Sequence, residues 1–152
     1  MDKIVDFAAV ARISKHIELK GVRLIQITAK CDPKVYGTLE PSVDVSCAVA
    51  THTDSALEVS CDYTFNVSSS DAPVADAEIS YLLNYEIQGS PEKFDGSDVA
   101  EFARANGALH SWPFVRELLY GLTSRMGYPP YTLPVMHFNA KASAVQPKTT
   151  PA

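Results

Sequence analysis

The sequence predicts an α+β fold: a four-stranded antiparallel sheet with helices packed on one face. Three observations carry this. Four segments between residues 17 and 87 alternate apolar and polar side chains with a period of two, so each gives a strand with one apolar face. HSWPFVRELLYGLTSRM, residues 110–126, changes to a helical period, with Val115, Leu118, Leu119, Leu122 and Met126 on one broad stripe. GYPPYTLPVMHF, residues 127–138, then stays apolar, although its three prolines forbid more helix.

Taken in order, Asp2 can cap a short helix over about residues 3–13, with Ile4, Phe7, Ala8 and Ala11 on one face. In the first strand Ile17 and Leu19 are followed by Val22 and Leu24 on the opposite parity, and Ile25, Ile27, Ala29 and Cys31 return to the first. A bulge near Gly21 reconciles these runs. CDPKVYGTLEP, residues 31–41, reads as a crossing loop. Val43, Val45, Cys47 and Val49 give the second strand, and Thr53-Asp54-Ser55 a turn. The third strand is the most regular: Leu57, Val59, Cys61, Tyr63, Phe65 and Val67. A polar loop over residues 68–73 leads to the fourth, Ala77, Ile79, Tyr81, Leu83, Tyr85 and Ile87.

A loop over residues 89–98 precedes a short helix ending near Gly107. Ser111 then caps the main helix, with Pro113 in the first turn, where a missing N–H is tolerated. Gly127 suits C′, and Pro129 stops the helix. The tail from residue 140 is small, polar and proline-bearing, and is expected to be disordered.

At 152 residues the chain fits one domain with a real core. A net charge of −5 argues against a nucleic-acid partner, which needs a basic face. Cys31, Cys47 and Cys61 form no close pair and read as reduced thiols of a cytoplasmic protein. Asp2 and Asp6 break the only apolar run near the start, so no signal peptide is expected, and no segment has the ~18–20 apolar residues of a membrane span. His16, His52, His110 and His137 are scattered and form no metal motif. With no nucleophile elbow, P-loop or dinucleotide fingerprint, no catalytic site, metal or cofactor is expected. Tyr63, Phe65, Tyr81 and Tyr85 read as core, whereas Arg116, Glu117 and Tyr120 lie off the helix stripe. One helix cannot cover four long strands and also its own far side. Apolar surface is therefore left over for an interface or a groove. A small α+β enzyme or ligand carrier, with a pocket between sheet and helix, is the alternative.

The order of elements and the segment PFVRELLYGLTSRMGYPPYTLPVMHF resemble the SecB family of protein-export chaperones. The residues that carry the resemblance are Pro113, Phe114, Arg116, Glu117, Arg125, Pro130, Leu133, Pro134, Val135 and Phe138, over a match of roughly residues 15–138. It implies a single SecB-like domain over residues 1–139, assembled as a homotetramer, a dimer of dimers. It also implies ATP-independent holding of unfolded polypeptides, without an enzyme activity. The implied peptide groove maps onto Val43, Val45 and Cys47, facing a wall of Tyr128, Tyr131, Leu133 and Val135, with Tyr36 and Leu39 as a lip. Glu117, Tyr120 and Arg125 map to the oligomer interface. Of the acidic positions at which the SecA motor docks, only Glu78 has a counterpart; Gly21 and Ile25 stand on the first strand, so SecA should bind weakly or not at all. The extra N-terminal helix and the prolyl tail resemble the branch that serves toxin–antitoxin systems, whose client is an aggregation-prone antitoxin.

Overall fold

The computed structural model describes residues 2–34, 37–89 and 94–140. In chain order come strand β1 (Asp2–Val5), helix α1 (Phe7–Ser14) and strands β2 (Ile17–Cys31), β3 (Leu39–His52), β4 (Ala56–Ser69) and β5 (Ala72–Ile87). Helix α2 (Gly96–Arg125) and strand β6 (His137–Ala140) follow. The four long strands form one antiparallel sheet in the order β2-β5-β4-β3, so β2 and β3 are its edges. The alternation works as expected at the centre: Leu57 to Val67 on β4 and Ala75 to Tyr85 on β5 bury every second side chain beneath the helices.

β2 contains the expected bulge, a register shift between Leu19 and Gly21, and a second shift between Leu24 and Gln26. Two shifts restore parity, so Leu19, Val22, Leu24 and Ile27 stand opposite Tyr85, Leu83, Tyr81 and Ile79, all on the inner face. Ile25 is the residue expelled by the second shift and is exposed.

Four expectations need correction. The first helix starts at Phe7, not near residue 3, and its cap is Asp6, whose carboxylate accepts the Ala9 N–H at 3.1 Å. Asp2 belongs instead to β1, which pairs in parallel with β6. Residues 68–73 are no open loop, because Ser70 and Asp71, at φ 50 and 64, make a tight hairpin turn between β4 and β5. The two helices expected around Ser111 are one, capped by Asp95, which accepts the Ser97 N–H at 2.7 Å. Burial of Val99, Phe102 and Ala103 upstream supports this continuity and offsets Pro113, which lies inside the helix rather than at its start. Finally, Ala140 lies in β6 rather than in the tail; residues 141–152 fall outside the described residues.

α2 ends as Gly127 suggested. Gly127 (φ 82) donates to Ser124 O at 3.1 Å and Tyr128 to Thr123 O at 3.0 Å, the paired bonds of a Schellman cap. Between its ends the helix lies hard on the sheet at Gly107. A Cβ there would stand 2.8 Å from Val59 Cγ1, 3.0 Å from Cys61 Sγ and 3.1 Å from Cys47 Cβ. Ser111, one turn on, donates to Gly107 O at 2.7 Å and meets the buried Tyr63 hydroxyl at 2.6 Å. Burial raises the Tyr63 pKa, so its proton stays and joins sheet to helix. Farther out, the Tyr85 hydroxyl bonds His110 Nδ1 at 2.7 Å.

Two predictions follow from this seam. Alanine is a better helix former than glycine by about 1 kcal/mol, but overpacking a core costs about 1–3 kcal/mol. The sheet atoms at Gly107 include a Cβ that cannot rotate away. Gly107→Ala should therefore destabilise the protein by about 1–2 kcal/mol in urea unfolding, and a stabilised variant would contradict the packing. His110 is half-buried and desolvation lowers its pKa from 6.5, so the unfolded chain takes up its proton first. Stability should be full above the unfolded value and fall with pH through 6.5 towards the lowered folded value. The Tm of His110→Gln, which keeps an acceptor for Tyr85, should fall less over that window than the parent Tm.

Candidate peptide-binding groove

Beyond its cap the chain doubles back along α2 as an extended strap. Pro129, Pro130 and Pro134 fix φ and remove three donors, so this strap cannot enter a sheet. It is held instead by single bonds from α2. Tyr131 N–H donates to Thr123 Oγ1 at 2.9 Å, Arg116 Nε to Leu133 O at 3.2 Å, and Trp112 Nε1 to Pro134 O at 2.9 Å. Thr123 sits on the buried side of α2 and donates its own proton to Leu119 O at 2.8 Å. Tyr128 reaches the sheet, donating to Val74 O at 3.3 Å. The strap then becomes β6 and pairs with β1, whose Ile4 carbonyl accepts from Arg104 Nη2 of α2.

The strap packs on β4 and β5, the former being the neighbour of the edge strand β3. Tyr131 stacks on Phe65 with ring centroids 5.6 Å apart, and Phe65 is the register partner of Val43. Trp112 lies 6.1 Å from Tyr63, the partner of Val45. Next to these contacts Leu39, Val43 and Val45 on β3 are half-buried, as is Tyr131 on the strap. Burial raises the Tyr131 pKa, and burial with nearby Cys31 and Asp32 raises that of Tyr128, so both hydroxyls stay neutral.

The residues expected to bind peptide divide by exposure. Leu39, Val43, Val45 and Tyr131 are half-buried, and Val135 at 63% is open to solvent. Leu133, at 1%, is a core residue, and Cys47 and Tyr128 are also buried. The carbonyls of Leu133 and Pro134 are bonded to α2, and with its side chain turned inward Leu133 is core rather than the binding surface expected of it. Tyr36 lies outside the described residues. Glu117, Tyr120 and Arg125 are exposed on α2, and Glu78 is exposed on the outer face of the sheet. Arg116, which lies off the helix stripe in the sequence, is a strap anchor, as are Trp112 and Thr123. A threonine on an apolar helix face was the one visible signal of this role.

Where the sheet meets α2, Gly107, Tyr63 and Ser111 pack closely. A cavity of about 390 Å³ lies elsewhere, lined by Ile4, Asp6, Ala9, Ser97, Asp98, Glu101 and Arg104. Among the described residues no group of three or more His, Cys, Asp or Glu could hold a metal ion, and no helix is long and apolar enough to cross a membrane.

No protein-family model matches the chain. Two curated relatives from Mycobacterium tuberculosis strains, the SecB-like chaperones Rv1957 and MT2006, are each 25% identical over 148 aligned positions. The alignment covers 83% of this chain and 81% of each relative. Among solved structures, the M. tuberculosis Rv1957 SecB-like chaperone in complex with a ChAD peptide from the Rv1956 HigA1 antitoxin matches with a TM-score of 0.77. That match has 22% identity and covers 84% of this chain and 96% of the other. The chain is thus similar in sequence to two SecB-like chaperones and shares the fold of the one whose structure is solved.

Proposed function

We propose that this chain is a chaperone that, without nucleotide, holds an extended segment of a dedicated polypeptide client, an antitoxin foremost, in the channel between β3 and the strap. The reading is supported by half-buried apolar residues on the edge strand β3, next to the β4 face on which the proline-fixed strap packs, in a fold shared with a chaperone solved with an antitoxin peptide. Leu39, Val43, Val45, Tyr131 and Val135 offer contact without charge, so binding works by apolar burial, about 25 cal/mol per Å². Such a site tolerates varied sequence and performs no chemistry, so the protein acts as a binder and not as an enzyme. The exposed thiol of Cys31 suits a reducing cytoplasm. The reading does not extend to the SecA motor, given Gly21 and Ile25 on β2.

The double variant Val45→Asp/Val135→Asp should lose about tenfold or more in client affinity, because a desolvated carboxylate opposes an apolar chain. Its circular dichroism should be unchanged. Leu133→Ala, by contrast, should cost about 2–5 kcal/mol of stability as a core truncation. A folded double variant that still suppresses aggregation in full would place the client elsewhere. Capture from the native host should return one predominant polypeptide; a broad set of preproteins would move the reading to general export.

Assembly into a homotetramer belongs to the same proposal. The inner face of β2 runs past the cover of its own helices: Leu24 is 45% and Ile27 40% exposed. Leu24 stands opposite Tyr81, whose ring lies 6.4 Å from that of Phe114, itself 44% exposed. This apolar strip is what a second copy would cover. Light scattering should give a tetramer for the parent chain and a smaller species for Leu24→Asp/Ile27→Asp. High salt should matter little, since exposed pairs such as one between Glu117 and Arg125 of neighbouring copies contribute about 0–1 kcal/mol. A stable parent monomer at micromolar concentration would sink the tetramer.

A further inference from the structure

We infer that the open edge of β6 is a strand-addition site, where the client's backbone continues the small sheet that β1 and β6 begin. The inference rests on the channel reading and gives that channel a directional end. Along the strap, prolines at 129, 130 and 134 prevent ladder bonds. From Val135 onward every residue of the strap and of β6 has its N–H again. β6 therefore begins where the wall regains the ability to pair.

One edge of β6 is already used. β1 lies along it in parallel register, from Asp2 opposite His137 to Val5 opposite Ala140. β1 is in turn fixed from behind by α2, through Arg104 to the Ile4 carbonyl and through the Asp6 N–H to Glu101 Oε1 at 2.9 Å. In a parallel pair, successive residues point their backbone groups alternately towards and away from the partner. The Ile4 carbonyl is turned to α2, so its register partner Asn139 addresses β1. Phe138 then directs its N–H and C=O to the opposite edge. Among the described residues no third strand pairs with β6.

The occupant is an extended polypeptide with an apolar residue at every second position. Phe138 is half-buried against the core and Val5, on the same face of this sheet, is buried, whereas Ile4, on the other, is exposed. A strand added beside Phe138 would turn alternate side chains onto the face that holds Phe138 and Val5. An isolated two-stranded sheet is marginal, and a third strand strengthens it. Main-chain bonds of this kind give affinity without dictating sequence.

The test uses the full chain and a labelled, lysine-flanked peptide of alternating valine and threonine. Two derivatives carry N-methyl groups on all valines or on all threonines, which keeps the side chains but removes the donors of one edge. One derivative should lose about tenfold or more in affinity, while the other binds like the parent peptide. Phe138→Pro, whose lost N–H faces away from β1, should show the same loss for the parent peptide, and Phe138→Leu should not. Equal affinity for all three peptides would overturn strand addition and leave the channel standing. Failure of every peptide to bind would overturn both. If Phe138→Pro changes the oligomer by light scattering but not peptide affinity, the edge belongs to a second copy and the inference is wrong.

Discussion

The height at which α2 rides over β3 and β4 determines where every anchor of the strap can sit, and a missing side chain at Gly107 sets that height. With the helix backbone nearly touching Cys47, Val59 and Cys61, Ser111 comes within reach of the Tyr63 hydroxyl, and a short polar relay joins sheet, side chain and helix carbonyl. The relay is buried and each member has a partner, which is the condition under which a polar network rigidifies a core instead of weakening it. Trp112, Arg116 and Thr123 lie farther along the same helix, so their distance from β3 follows from this one contact.

The strap and the channel it borders obey different physics. The strap is held by directional bonds, each from one named α2 side chain, spaced so that proline positions need no donor of their own. The channel surface offers the reverse: Leu39, Val43 and Val45 present side chains that ask no particular geometry of a partner. A rigid wall with an undemanding surface suits a guest that varies in sequence and arrives unfolded.

Much of this could be read in the residues. The alternation in β4 and β5 and the Gly127 cap were visible because local pattern and tertiary packing agree there. Gly21 correctly located a bulge, but the second shift in β2 carries no glycine to announce it. The turn at Ser70 and Asp71 was hidden for a related reason: two non-glycine residues adopt positive φ where Asn-Gly would have been recognised. α2 was divided at Ser111 because a serine followed by Pro113 resembles a helix start, and only the packing of Val99 and Phe102 overrides that local signal. In the channel, the residue types were legible but their depth was not. Leu133 and Val135 share a parity in sequence, yet one is core and the other open, since the bonds to the intervening carbonyls are tertiary.

The pairing of β1 with β6 has a kinetic meaning. It closes a loop over nearly the whole described chain, and loop-closure entropy must be overcome before such a contact returns any stability. β1 also depends on Arg104 and Glu101, and the strap on Trp112, Arg116 and Thr123, so neither strand is placed before α2 has docked. This two-stranded sheet is therefore a late event in folding and an early one in unfolding. A nascent or damaged copy of the chain has its apolar strands but not its strap. Such a copy resembles a client, and only completion of the last and most distant contact turns it into the holder.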